Sequence, residues 1–139
     1  MSPFFGDKKT FFLLLFLSTL FFDQISKYII RNSGGFYICN SGIAFGLPLP
    51  QIATNLFFIT FLLLFLVALR KKHIFLSLGW ILLFSGAFSN FLDRLFFGCV
   101  IDFIELGFWP LFNLADTFIF LGFVLLFFQS GSQKLTVKH

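Results

Sequence analysis

The sequence predicts an all-α integral membrane protein of four transmembrane helices, with a small β-rich element outside the membrane. Three observations predict it. Hydrophobic residues make up 58% of the chain and charged residues 12%, where a water-soluble domain carries about 25% charged. Four apolar runs reach helix length, at residues 10–30, 52–69, 74–97 and 113–129. Two connections, 32–51 and 98–112, contain no Lys or Arg and hold most of the turn-forming residues. At 139 residues there is room for one domain, 1–139, and no second module.

The first run follows Lys8-Lys9 and begins FFLLLFLSTLFF, like the start of a secretory signal. No small-residue cleavage site follows, so a retained helix over 10–30 is expected, ~30 Å long at 1.5 Å per residue. Residues 32–51 are uncharged and rich in Gly, Pro, Asn and Ser, which predicts turns around short extended pieces such as FYIC and IAFG. The second span, 52–69, closes on Arg70-Lys71-Lys72, and the third, 74–97, stays uncharged until Asp93. Gly98, Gly107 and Pro110 flank another extended piece, VIDFI. The fourth span starts near Asn113 and gives way at about Gln129 to a polar tail. Basic residues gather at Lys8 and Lys9, at 70–73, and at Lys134 and Lys138, which places both termini in the cytoplasm and the two connections without Lys or Arg outside.

The net charge of +4 does not indicate nucleic acid, because the basic residues border apolar runs and form no groove-like patch. Cys39 and Cys99 are too few for a disulfide framework. Both fall in outward segments, where a single bridge is possible, but two small buried apolar residues are the favoured reading. His73 and His139 sit among basic residues, and no metal site is expected.

The polar residues inside the spans align. Asp23 and Lys27 lie toward the outer end of span one, Asn90, Asp93 and Arg94 toward the outer end of span three, and Asn113 and Asp116 at the outer start of span four. All therefore reach one depth, which scattered structural residues would not do. Asp23 and Lys27, four apart, share a helix face, and a salt bridge that neutralises two membrane charges explains them as well as a substrate role does. Arg94 can compensate a carboxylate or snorkel to headgroups. Two carboxylates close enough to share a proton would supply a base to activate water and an acid to protonate an oxyanion. Spacing does not say which two of Asp93, Asp102 and Asp116 pair, and a small transporter or channel subunit using carboxylates as a proton or cation path is the alternative.

The blocks Asp23-Gln-Ile-Ser-Lys27, Asn40-Ser-Gly42-Ile-Ala44-Phe45-Gly46, Asn90-Phe-Leu-Asp93-Arg94, Val100-Ile-Asp102-Phe103 and Phe112-Asn113-Leu-Ala115-Asp116 resemble lipoprotein signal peptidase (signal peptidase II) in order, spacing and topology. The resemblance implies a multi-pass aspartyl endopeptidase of the bacterial cytoplasmic (inner) membrane, with its active site toward the extracytoplasmic face. It would remove the signal peptide from a prolipoprotein, cutting before a diacylglyceryl-modified cysteine. It implies Asp102 and Asp116 as the catalytic dyad, and Asp23, Lys27, Asn40, Gly42, Asn90, Asp93, Arg94, Asn113 and Ala115 as substrate-binding or site-supporting positions. Asp93 matches an acidic position outside the dyad. No cofactor is implied; the expected partners are the lipid-modified substrate and membrane lipids, with the chain a monomer. Two departures stand out: a short 32–51 segment, which reduces the family's surface helix, and Ser85-Gly86-Ala87-Phe88-Ser89, with Ser where the family tends to have Gly.

Overall fold

The computed structural model describes residues 8–42, 50, 52, 53, 56, 59–61, 63, 66, 67, 70 and 77–136. In chain order they form helix α1 (Lys8–Asn32), strand β1 (Ile38–Asn40), helix α2 (Leu78–Phe97), strand β2 (Val100–Asp102) and helix α3 (Leu114–Thr136). Between β1 and α2, Ile52, Ala53, Leu56, Ile59, Thr60, Phe61, Leu63, Leu66 and Val67 are helical. The rest of the span expected at 52–69, the extended piece expected at 43–46 and residues 74–76 lie outside the described residues.

Helix α1 is inside out relative to a helix in water. Its buried residues are Thr19, Asp23 and Lys27, a polar stripe at i, i+4 and i+8, whereas Leu13, Leu14, Phe21 and Phe22 are exposed. A water-soluble helix turns its apolar stripe to the core. This one meets the protein through polar side chains and offers hydrocarbon outward, an arrangement that lipid solvates and water does not. Among the described residues, Lys8–Asn32 is long and apolar enough to cross a bilayer.

Helices α2 and α3 approach closely because glycines line their contact. A Cβ built on Gly122 would fall 2.6 Å from both the Gly79 carbonyl oxygen and the Leu83 nitrogen, and one on Gly86 would strike the Ala115 carbonyl. Small residues that let backbones touch are the usual means of packing helices in lipid. Helix α2 ends at Gly98, which takes the left-handed conformation (φ 73°) and donates its N–H to the Arg94 carbonyl at 3.0 Å. That turn sends the chain directly into β2.

The two strands pair antiparallel, with Ile38 opposite Asp102, Cys39 opposite Ile101 and Asn40 opposite Val100. Val100, Ile101 and Asp102 are all buried. An Ile104–Phe112 bridge (Ile104 N to Phe112 O, 2.8 Å) then closes the 105–111 loop and delivers the chain to α3.

Two expectations are corrected. Cys39 and Cys99 are joined in a disulfide, their Cα atoms 5.4 Å apart, rather than sitting as separate buried residues. The cause is strand register: Cys39 faces Ile101, so it lies beside the residue that precedes β2. The polar residues expected as a tail after about Gln129 are helical to Thr136, so α3 runs past its apolar part, Leu114–Gln129. Once a helix is nucleated each further residue adds a hydrogen bond, and Ser or Gly costs only about 0.5–1 kcal/mol.

The α2–α3 contact leads to a direct expectation. Gly122→Ala pushes a methyl into backbone atoms of α2 and should destabilise the chain by about 1–3 kcal/mol, whereas Phe128→Ala, on an exposed position, should cost far less. Thermal unfolding of the two variants in detergent measures the difference.

Candidate active site

The start of α3 builds half of the site. Asn113 accepts the Asp116 N–H on its side-chain oxygen at 2.9 Å, and its own N–H donates back to Asp116 Oδ2 at 3.2 Å. This reciprocal pair satisfies two N–H groups that a helix start leaves without partners, so the sequence Asn-x-x-Asp acts as a capping box. A third such group, the Ala115 N–H, donates to Asp23 Oδ1 of α1 at 2.7 Å. Asp116 is thereby held one turn from the helix end, where the dipole favours a carboxylate.

Strand β2 supplies the other half. Asp102 Oδ1 accepts from Asn113 Nδ2 at 2.7 Å, and Oδ2 accepts from Asn40 Nδ2 of β1 at 2.9 Å. Asp116 Oδ1 accepts from Asn90 Nδ2 of α2 at 2.8 Å. Asp102 thus takes two asparagine side-chain donors and Asp116 one, and Asn113 contributes to both carboxylates, through its side chain to Asp102 and its backbone N–H to Asp116. Asp102 is 2% exposed, whereas Asp116 is half-buried.

Behind the two acids lies an ionic layer. The Lys27 ammonium sits 2.6 Å from Asp23 Oδ2 and 2.7 Å from Asp93 Oδ2, and donates to Asn90 Oδ1 at 2.9 Å. Because Lys27 and Asn113 Nδ2 (3.2 Å) both claim Asn90 Oδ1, the Asn90 amide must turn its NH₂ toward Asp116. Arg94 donates through Nη2 to the Gly42 carbonyl at 2.6 Å, and the Gly42 N–H donates to Asn40 Oδ1 at 3.0 Å. Arg94 therefore ties the segment after β1 to α2, a contact beyond the two roles read from the sequence, and its charge also acts on Asp102, Asp116 and Asp93, as carboxylate compensation requires.

All the residues singled out in the sequence come together: Asp23, Lys27, Asn40, Gly42, Asn90, Asp93, Arg94, Asp102, Asn113, Ala115 and Asp116 form one connected network. Asp93 is engaged by Lys27 and by Gln24, and faces the Ile101 N–H at 3.4 Å. Glu105, in the same acidic stretch, is exposed. Two members were not anticipated. Ser89, fully buried, donates to Asp23 Oδ2 at 2.6 Å and accepts from Gln24 Nε2 at 2.8 Å, and Gln24 also donates to Asp93 Oδ1 at 2.9 Å. The available signal was spacing: Ser89 lies one turn before Asp93, on the same helix face. Among the described residues no cluster suited to a metal ion occurs.

A mostly helical chain with an apolar outer surface, in which Asn113 bonds to both Asp102 of β2 and Asp116 of α3 within a buried polar network, defines a membrane protein with a polar site among its helices. The family signature described as Signal peptidase (SPase) II matches residues 15–131. Lipoprotein signal peptidase of Moorella thermoacetica is 38% identical, with 85% of this chain and 91% of that protein aligned. The enzyme of the same name from Syntrophomonas wolfei is 40% identical over 80% of this chain and 86% of its own length. A bacterial membrane enzyme solved by the in meso method at 2.3 Å superposes with a TM-score of 0.73 at 25% identity, covering 94% of this chain and 92% of that one. The chain belongs to the signal peptidase II family, and is a peptidase.

Asp102 lies outside the membrane-spanning segments. Burial pushes its carboxyl from 3.8 up to about 6; the Asp116 charge adds to the rise, while the Asn40 and Asn113 donors and Lys27 oppose it. With the folded value above the unfolded one, the folded chain holds more protons than the unfolded chain between about pH 4 and pH 6. The stability due to this group is therefore greatest below that window and declines as pH rises through it. Asp102→Asn removes the titration, so its melting temperature relative to the unsubstituted chain should rise between about pH 4 and pH 7. A difference that stays constant across pH would show that the carboxyl is not shifted.

Proposed function

We propose that this chain removes signal peptides from diacylglyceryl-modified prolipoproteins by activating water on Asp102 and Asp116. Membership of the signal peptidase II family makes it a signal-peptide-removing peptidase. The observation that carries the mechanism is Asn113, whose side chain donates to one carboxylate and whose backbone donates to the other. Two acids gripped by one residue cannot both ionise cheaply, so the pair retains a proton.

Charge counting supports the same reading. Four carboxylates of the network, Asp23, Asp93, Asp102 and Asp116, face two cations, Lys27 and Arg94. Lys27 is committed to Asp23 and Asp93. A shared proton on Asp102–Asp116 lowers the uncompensated charge in a site poor in water. We assign Asp102, the less accessible of the two, as the acid, and Asp116, the one more open to water, as the base. Asp116 takes a proton from water as the oxygen attacks the scissile carbonyl, and Asp102 gives its proton to the developing oxyanion. Collapse of the tetrahedral intermediate then breaks the C–N bond: the amine leaves with the proton held by Asp116, and one hydroxyl of the gem-diol returns its proton to Asp102, which restores the pair.

We place the chain in the bacterial inner membrane as one four-span domain acting as a monomer, with both termini cytoplasmic and the pair near the outer surface. The basic clusters at Lys8–Lys9, 70–73 and Lys134–Lys138 support that orientation. The depth suits the substrate. Its acyl chains stay among lipid tails and add about 0.8 kcal/mol of binding per buried CH₂, while hydrolysis needs the water found at the interface.

The purified chain should cleave a diacylglyceryl-modified precursor and leave its unmodified twin intact. Asp102→Asn and Asp116→Asn should each lower cleavage by about 10²–10⁴-fold, and retained cleavage in either would remove that residue from the pair. Asn40→Ala deletes a donor that favours ionised Asp102, so the acid keeps its proton to higher pH. The alkaline limb of the kcat/KM profile should move upward, and a downward shift would reverse the assignment of acid and base.

A further inference from the structure

We propose that the Cys39–Cys99 disulfide is a positioning element of this site, holding Asn40 on Asp102, and that a dithiol reductant switches the enzyme down by opening it. The inference rests on the reading of Asp102 as one of the catalytic pair.

Besides the link, strand β1 is held by its short pairing with β2 and, two residues beyond Asn40, by the Arg94 bond to the Gly42 carbonyl. It contributes three residues to a sheet of two strands, and its partner is 60 residues away with no hairpin between them. Such a pair is marginal on its own, and strands are normally held by the apolar face they bury. Here Ile38 is 40% exposed and Phe36 69% exposed, so β1 buries little. Across the strand pair, Asn40 stands opposite Val100 and reaches Asp102 with its amide. The residue next to Asn40 carries the covalent link, which ends at Cys99, between the helix-terminating Gly98 and β2. Cys99 is buried and belongs to the rigid side; Cys39 is exposed and belongs to the weakly held side. The bond therefore fastens the loosely seated donor to the backbone segment that carries its acceptor.

The exposed sulfur is also where a reductant arrives. A dithiol thiolate attacks Cys39 Sγ, the Cys39–Cys99 bond breaks, and Cys99 leaves as a thiolate that takes a proton. The second thiol of the reductant then displaces Cys39 and closes a cyclic disulfide, so two electrons pass to the protein. Freed of the link, β1 leaves Asp102 without the Asn40 donor.

Cleavage of a diacylglyceryl-modified precursor by the purified full-length chain tests this, with and without dithiothreitol. Reduction should lower kcat by up to about tenfold, the upper end of the usual weight of one hydrogen bond, and reoxidation should restore it. The Cys39→Ser/Cys99→Ser variant should be slow already and indifferent to the reductant. Asn40→Ala should be slow as well, and reduction should add little to it, because bond and amide act as one unit. A fold-loss in Asn40→Ala as large as in the unsubstituted chain would overturn the route through Asn40. Full kcat after verified reduction would overturn the proposal altogether, as would free thiols at both positions in protein made under oxidising conditions. Cleavage retained by Asp102→Asn would instead fault the catalytic reading, which keeps the two failures distinct.

Discussion

The Lys27 ammonium is the contact on which the rest of the structure depends. A charge placed among apolar helices is tolerated only if its partners surround it, and Lys27 is ringed by Asp23, Asp93 and Asn90. Those partners come from two helices, so one cation decides where α1 docks on α2. The same cation turns the Asn90 amide toward Asp116, and its partner Asp23 holds the Ala115 N–H at the start of α3. Three helices are thus registered by polar contacts, while their apolar side chains face the surrounding lipid.

The acids in front of this layer owe their positions to ordinary folding devices. Asp116 is half of a capping box, Asp102 is the last residue of a strand, and Asn113 is the helix cap that touches both. Each device satisfies backbone or side-chain groups that burial would otherwise leave unpaired. The proposed catalytic geometry and fold stability therefore use the same hydrogen bonds. Asp102 is the exception, since burial raises its carboxyl toward neutrality and the folded state bears that cost as pH rises.

Much of this was legible in the sequence. The runs 10–30 and 74–97 correspond to α1 and α2, and the apolar-flanked VIDFI became β2 and its following bridge. Periodicity and length suffice for such elements because lipid allows few alternatives. Chemistry-bearing residues were legible because polar side chains in apolar spans are conspicuous. What escaped notice depended on register or on small polar residues. The Cys39–Cys99 link follows from a strand pairing that no local pattern announces. Ser89 and Gln24 looked like unremarkable neighbours of Asn90 and Asp23, yet they join the two ion-paired aspartates. The extension of α3 to Thr136 runs through Ser and Gly, where composition suggested a tail.

The polar stripe on α1 also bears on biogenesis. During synthesis this helix leaves the ribosome before α2 and α3, and so enters the bilayer before the helices that will complete its ion cluster exist. Asp23 and Lys27, one turn apart, can neutralise each other during that interval, so the nascent segment travels with its own counter-ion. When Asp93 and Asn90 arrive, the ammonium needs only to widen its circle of partners, without ever standing bare in hydrocarbon.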